Sequence, residues 1–177
     1  EDHLIEAINT NKTVIPYGNG RSYGDSALND HMVQYHEPNN PIEFNQETGI
    51  AKVSAITQIG SLIDHILPFG WFPPVVPGTK FVTIGGAIAA DIHGKNHHID
   101  GCFSQHVISF DLMLQNGDVI QCSRIDNSEL FRATCGGMGL TGVILNARIK
   151  MLRVQSRFIE QISYKAQNID ELFVHFS

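Results

Sequence analysis

Thr83-Ile-Gly-Gly-Ala-Ile-Ala-Ala-Asp-Ile-His-Gly-Lys-Asn-His-His98 is the stretch on which the fold turns. Its first half, Thr83 to Ala90, is small and apolar around Gly85-Gly86. Residues of that size let backbone approach backbone or a flat ligand. Its second half brings together Asp91, His93, Lys95, Asn96, His97 and His98. A planar aromatic cofactor needs a flat apolar wall and a few backbone donors, and a loop of small residues supplies both. The histidines raise a metal reading. Adjacent imidazoles at 97 and 98 rarely converge, and Gly94-Lys-Asn96 argues against helical i,i+4 presentation. No metal is expected, and histidines hydrogen-bonded within a loop are the plain alternative for His97 and His98.

Upstream, Pro73-Pro74 and Pro77-Gly78 read as extended or turning chain. Before them, Ile50 to Ala55 reads as a strand. Thr57 is placed to cap a helix whose Ile59, Leu62, Ile63 and Ile66 share one face, ended by Pro68 and Gly70. Further back, Val14-Ile-Pro16 reads as a short strand entering a Gly-rich loop, Tyr17 to Asp25, and residues 3–10 read as a helix. In Gly18-Asn-Gly-Arg-Ser-Tyr-Gly24 the glycines permit positive φ and leave amides unshielded, so successive N–H groups can curve into a nest for phosphate oxygens. The spacing is not a GxGxxG opening a helix, which argues against a Rossmann motif, and no GK[ST] follows as in a Walker phosphate loop. A tight surface turn is the other reading.

Downstream, Ile108, Phe110, Leu112 and Leu114 alternate, Asn116-Gly117 turns, and Val119 to Cys122 returns: a hairpin. Asp126 and Glu129 suggest a capping box for a short helix through Ala133. A second Gly-rich loop, Gly136 to Gly142, feeds a strand. There Val143, Leu145, Ala147, Ile149 and Met151 are expected on one face and Asn146, Arg148 and Lys150 on the other. Asn168 and Glu171 read as the cap and third residue of a last helix. The pattern is α+β, read as two lobes: residues 1–75 and residues 76–177.

A net charge of −6 with no Lys/Arg cluster argues against a nucleic-acid partner. Three cysteines without a CxxC argue against a disulfide framework, and buried reduced thiols are expected. No apolar run approaches the ~20 residues of a membrane span. Both ends are expected to be cut, with a C-terminal substrate domain absent.

The strings GNGRSYGD (18–25), PPVVPGT (73–79), TIGGAIAADIHGKNHH (83–98) and GGMGLTGVI (136–144) resemble the FAD-binding, PCMH-type domain of the vanillyl-alcohol oxidase superfamily. They are most similar to its decaprenylphosphoryl-β-D-ribose 2′-oxidase group. The resemblance implies two α/β subdomains with FAD between them. Amides of Gly18, Asn19, Gly20, Arg21, Ser22 and Tyr23 would hold the pyrophosphate, with Tyr17 and Gly24 bounding that loop. Gly78 and Thr79, then Thr83, Ile84, Gly85 and Gly86, would line the cofactor. Ala90, Asp91, Ile92 and His93 would pass the flavin ring, and Val143 and Ile144 would meet the adenine end. Relatives with covalent FAD often carry His-Ser where this chain has Arg21-Ser22. Arginine cannot make that bond, so dissociable FAD is expected, with His93 as a second candidate for attachment.

By the same resemblance the reaction is oxidation of a secondary sugar alcohol to a ketone. The substrate would be a polyprenyl-phosphate pentose such as decaprenylphosphoryl-ribose, with His93 and Lys95 orienting it. The principal base would lie in the absent part, and the isolated piece would not turn over. An NADH-dependent keto-sugar reductase would be a partner, and the location cytoplasmic with membrane association. The alternatives are an alditol or sugar-acid oxidase, a flavin-binding module without chemistry, and a metal hydrolase built on the histidines.

Overall fold

A computed structural model describes residues 5, 6, 10, 13–36 and 41–176. Ile5, Glu6 and Thr10 are helical, and the rest of the helix expected over 3–10 lies outside the described residues. Short strands β1 (Ile15–Pro16) and β2 (Met32–Val33) pair in parallel. The main sheet has five strands: β3 (Ile42–Asn45), β4 (Ile50–Ser54), β6 (Val107–Met113), β7 (Val119–Ser123) and β8 (Val143–Lys150). Their spatial order is β3-β4-β8-β6-β7, antiparallel throughout. A third pair joins β5 (Trp71–Phe72) to β9 (Leu152–Arg153). The sheet crosses position 75, since β4 pairs with β8 over its whole length. The division into 1–75 and 76–177 therefore remains a proposal that this sheet does not follow.

The uniform alternation expected along 143–151 is broken. Leu112 faces Ile144 while Asp111 faces Asn146, so Leu145 is an extra residue, a bulge. The slip moves Val143 and Leu145 onto the face that packs Val33 and Met113. Ile144, Ala147 and Ile149 meet the main core instead. A second bulge at Ile108 turns that side chain outward, although it was expected to share a face with Phe110 and Leu112.

Helix α1 (Ile59–Ile66) buries Ile59, Leu62 and Ile66 against the sheet, as its spacing requires. Thr57 does not cap it. Gln58 occupies the cap position, Thr57 is wholly buried, and Ile59 and Gly60 donate to the carbonyls of Val82 and Lys80 at 2.9 Å each. Neighbouring backbone thus satisfies the first amides, and no side-chain cap is needed.

The largest departure concerns Thr83–Ala90, expected as a loop. Ile84–Ala89 is a helix, α2. Thr83 caps it, with Gly86 N–H donating to Thr83 Oγ1 at 3.2 Å. Two glycines each cost roughly 1 kcal/mol in a helix, which is why local sequence argues for a loop. Packing overrides that: Ile84, Ala87 and Ile88 are completely buried. Gly85 also lies so close to β4 that a Cβ there would sit 3.0 Å from Ala55 Cβ.

His97–Asp100 forms a single turn, α3. Helix α4 (Ser128–Thr134) starts at Asn127, in a left-handed conformation with φ 50° and no side-chain cap. The capping box expected from Asp126 and Glu129 is absent, because the amide of Asp126 is taken by Ser123 Oγ at 2.8 Å. The cap expected for the last helix, α5 (Ile169–Phe176), is present. Asn168 Oδ1 accepts from Glu171 N–H at 2.9 Å, and Glu171 Oε2 accepts from Gln167 N–H at 2.6 Å.

Candidate functional site: a cavity beside the Gly-rich loop

A cavity of about 430 Å³ lies between the Tyr17–Ala27 loop, one face of α2, the Pro77–Thr79 turn and the Gly139–Ile144 segment. That volume is within the range of small-molecule sites. The loop is tied down at its base. Tyr17 N–H donates to Val33 O at 2.8 Å, Gln34 Nε2 donates to Gly18 O at 3.0 Å, and Asn19 Nδ2 donates to Phe81 O at 3.0 Å. The amides of Gly18 through Gly24 find no acceptor among the described residues. Unpaired amides on an anchored loop are what an anionic phosphate chain requires.

Two glycines keep the loop in this shape. Gly20 has φ 59°, and a Cβ there would lie 2.3 Å from the Tyr17 hydroxyl. A Cβ at Gly18 would lie 2.6 Å from Thr83 Oγ1, so the loop and the cap of α2 touch directly.

Most residues named from sequence come together here. Tyr17 through Gly24, Gly78, Thr79, Thr83, Gly85, Gly86, Ala90, Ile92, Val143 and Ile144 all line the cavity. Four named residues do not. Ile84 faces the core at 0% exposure, because helical periodicity sends 84, 87 and 88 inward and leaves 85, 86 and 89 for the cavity. Asp91 turns away: its carboxylate accepts from Ser104 N–H at 2.8 Å and Ser104 Oγ at 3.0 Å. His93 and Lys95 are exposed and stand outside the lining. The His93 ring instead meets that of His97, with centroids 5.4 Å apart. Among the described residues no group of three or more His, Cys, Asp and Glu converges as a metal site would need.

The cavity also uses residues that sequence reading did not assign. Met138, Gly139 and Gly142 extend the second Gly-rich loop into the wall. Their glycine spacing was the available signal. Tyr35, Ala55 and Ile56 join from the ends of β2 and β4, and only the tertiary fold brings them there.

The polar side chains of the lining are hydroxyls and phenols with Asn19 and Arg21; the cysteines lie outside it. Burial, and then the nearby Asp91 carboxylate, pushes the Cys135 thiol up to about 12. Burial, and then Asp111, pushes the Cys122 thiol up as well. All three cysteines are free, Cys122 buried and the other two half-buried. Arg21 lies over the Phe81 ring, 5.4 Å from its centroid. The walls are otherwise small and apolar, and an apolar slot leading to unpaired loop amides fits a flavin ring joined to a pyrophosphate.

Comparison with known proteins agrees with this geometry. The chain matches the FAD binding domain family over residues 2–123. It is 40% identical over 167 residues to decaprenylphosphoryl-beta-D-ribose oxidase of Mycolicibacterium smegmatis, covering 93% of this chain and 36% of that protein. It is 25% identical over 146 residues to Delta(24)-sterol reductase of Rattus norvegicus, covering 75% and 28%. Among solved structures it is similar to 6-hydroxy-D-nicotine oxidase from Arthrobacter nicotinovorans, with TM-score 0.73 at 20% identity over 85% of this chain and 34% of that one. The chain spans about a third of the length of these relatives. This chain belongs to the FAD binding domain family and has an α+β, PCMH-type FAD-binding fold.

Proposed function

We propose that the chain is the FAD-binding part of an FAD-dependent oxidoreductase that oxidises a secondary alcohol of a sugar to a ketone, its substrate a polyprenyl-phosphate pentose such as decaprenylphosphoryl-ribose. The observation that carries the FAD reading is the anchored 18–24 loop, its amides unpaired beside an apolar cavity. The similarity to decaprenylphosphoryl-beta-D-ribose oxidase supports the substrate class.

Bound there, the flavin supplies a hydride acceptor. The chain's own residues bind and orient. Loop amides and the Ser22 hydroxyl hold the pyrophosphate. Gly85, Gly86, Ala89 and Ala90 give the ring a wall without bulk. Arg21 stands where covalent relatives carry histidine and cannot form the flavin bond, so the cofactor is dissociable.

Oxidation also requires a base for the hydroxyl proton. Among the described residues no carboxylate, imidazole or ammonium lines the cavity. The reading assigns that base to the rest of the whole protein, with His93 and Lys95 on the exposed loop meeting the substrate from this side. Among the described residues no helix is long and apolar enough to cross a membrane. A cytoplasmic location with membrane contact through the lipid substrate is part of the proposal. No feature of this chain supports a reductase partner.

The test is made on the intact protein. Its visible spectrum should show flavin bands that stay with folded protein and pass to the supernatant on acid precipitation. Flavin left in the pellet would show a covalent bond and overturn the role given to Arg21. Under anaerobic conditions, decaprenylphosphoryl-ribose should bleach the bound flavin. Bleaching by simple alditols and not by the phospholipid sugar would replace the substrate assignment.

A further inference from the structure

Asp91 was expected to pass the flavin ring, yet its side chain does something else. Its φ of 40° places a non-glycine residue in the left-handed region. Such a residue costs on the order of 1 kcal/mol or more, which glycine would avoid. What glycine lacks is the carboxylate, and here both oxygens are used. Ser104 N–H donates to Oδ1 at 2.8 Å and Ser104 Oγ donates to Oδ2 at 3.0 Å.

These bonds join the two ends of one loop. The left-handed turn at Asp91 follows directly on α2 and directs Ile92 into the cavity wall. The chain then runs out through His93 and Lys95 and returns. His93 bridges Cys102, and Phe103 N–H donates to Ile92 O at 2.8 Å. Ser104 is held from its other side as well, its carbonyl accepting from Arg124 Nη2 at 2.9 Å. The loop's far end is tied to Pro74 O by Asn96 Nδ2 at 2.9 Å.

We infer that Asp91 is a positioning residue: its carboxylate latches Ser104, and so holds the 92–103 loop with Ile92 against the flavin. Asp91 itself stands outside the cavity lining. The inference rests on the FAD reading above and assigns a device that readies that site. Without the latch the loop samples open arrangements, and apparent cofactor affinity falls in proportion to the fraction of time it is closed.

Three variants of the intact protein test this, each measured for FAD affinity by flavin fluorescence, for thermal midpoint, and for amide exchange across 92–103. Asp91→Gly suits the backbone and removes the latch. It should weaken FAD binding roughly five- to tenfold, as a loop closed only 10–20% of the time would. Exchange at 92–103 should quicken, with the midpoint changed little. Asp91→Asn keeps an acceptor for Ser104 N–H and can donate to Ser104 Oγ, so it should restore near-native affinity. Ser104→Ala loses the hydroxyl arm alone and should fall between them. Native affinity and native exchange in Asp91→Gly would overturn the latch. So would an Asp91→Asn variant as weak as Asp91→Gly, or a loss of affinity that only follows a falling midpoint. A wild-type protein that binds no FAD would overturn the function and the latch together, whereas wild-type binding with unaffected variants would sink the latch alone.

Discussion

At the scale of single residues, the site is made by what is small and by what lacks a partner. Gly20 has a left-handed φ with the Tyr17 hydroxyl where a Cβ would go, so Gly20→Ala must distort the loop that presents its free amides. FAD affinity should drop by at least about tenfold, the equivalent of losing one well-placed charge-assisted hydrogen bond, measured by flavin fluorescence titration. Cys135 offers a pH signature. Burial pushes its thiol up to about 12 from an ordinary 9.0, so the folded state keeps a proton that the unfolded chain gives up above pH 9. Its stabilising contribution is therefore whole below pH 9 and is lost as pH rises towards 12. Urea midpoints should fall with pH over that interval, and Cys135→Ala should flatten the slope. An unchanged slope would mean that other groups set the alkaline limit.

Among elements, α2 (Ile84–Ala89) decides most, because one face completes the core and the other completes the cavity. Thr83 serves both sides: it caps the helix and packs against Gly18. Thr83→Ala should cost about 1 kcal/mol of unfolding free energy, and Thr83→Ser should retain most of it. Denaturant titration of both variants checks this, and equal losses would mean that the methyl group, not the cap, matters. The bulges at Ile108 and Leu145 act at the same scale. By slipping the register at Leu145, β8 presents Val143 and Ile144 to the cavity and still returns Ala147 and Ile149 to the core.

Over the described molecule, the main core runs from Ala51 to Met151, and the sheet draws strands from 42–54 and from 107–150. The cavity lies where the short β1–β2 unit and its loop meet this body, a frequent place for ligands. Beyond Val154 the chain behaves differently. Phe158, Ile159 and Ile162 are 78%, 90% and 65% exposed. Exposed apolar side chains this close together in the sequence can bind hydrophobic dyes. The 177-residue chain should enhance the fluorescence of anilinonaphthalene sulfonate, and serine at these three positions should abolish most of the signal without moving the thermal midpoint. A signal that persists in the triple variant would place the exposed surface elsewhere.

The sequence by itself determined the Gly-rich loop at 18–24, the apolar periodicity of α1, the β6–β7 hairpin and the small-residue stretch before His93. These are local: glycine spacing, alternation and turn residues act within a few positions of one another. Tertiary structure decided the rest. Two glycines made 84–89 look like a loop, and burial of Ile84, Ala87 and Ile88 made it a helix. Thr57 and Asp126 had the composition of caps, but carbonyls of Lys80 and Val82 and the Ser123 hydroxyl took those bonds first. Asp91 was expected beside the flavin ring, and its carboxylate meets Ser104, which lies thirteen residues away and adjoins it only once the loop has folded. Contacts between distant segments cannot be read from spacing, since the closure that creates them is set by the packing of the whole sheet.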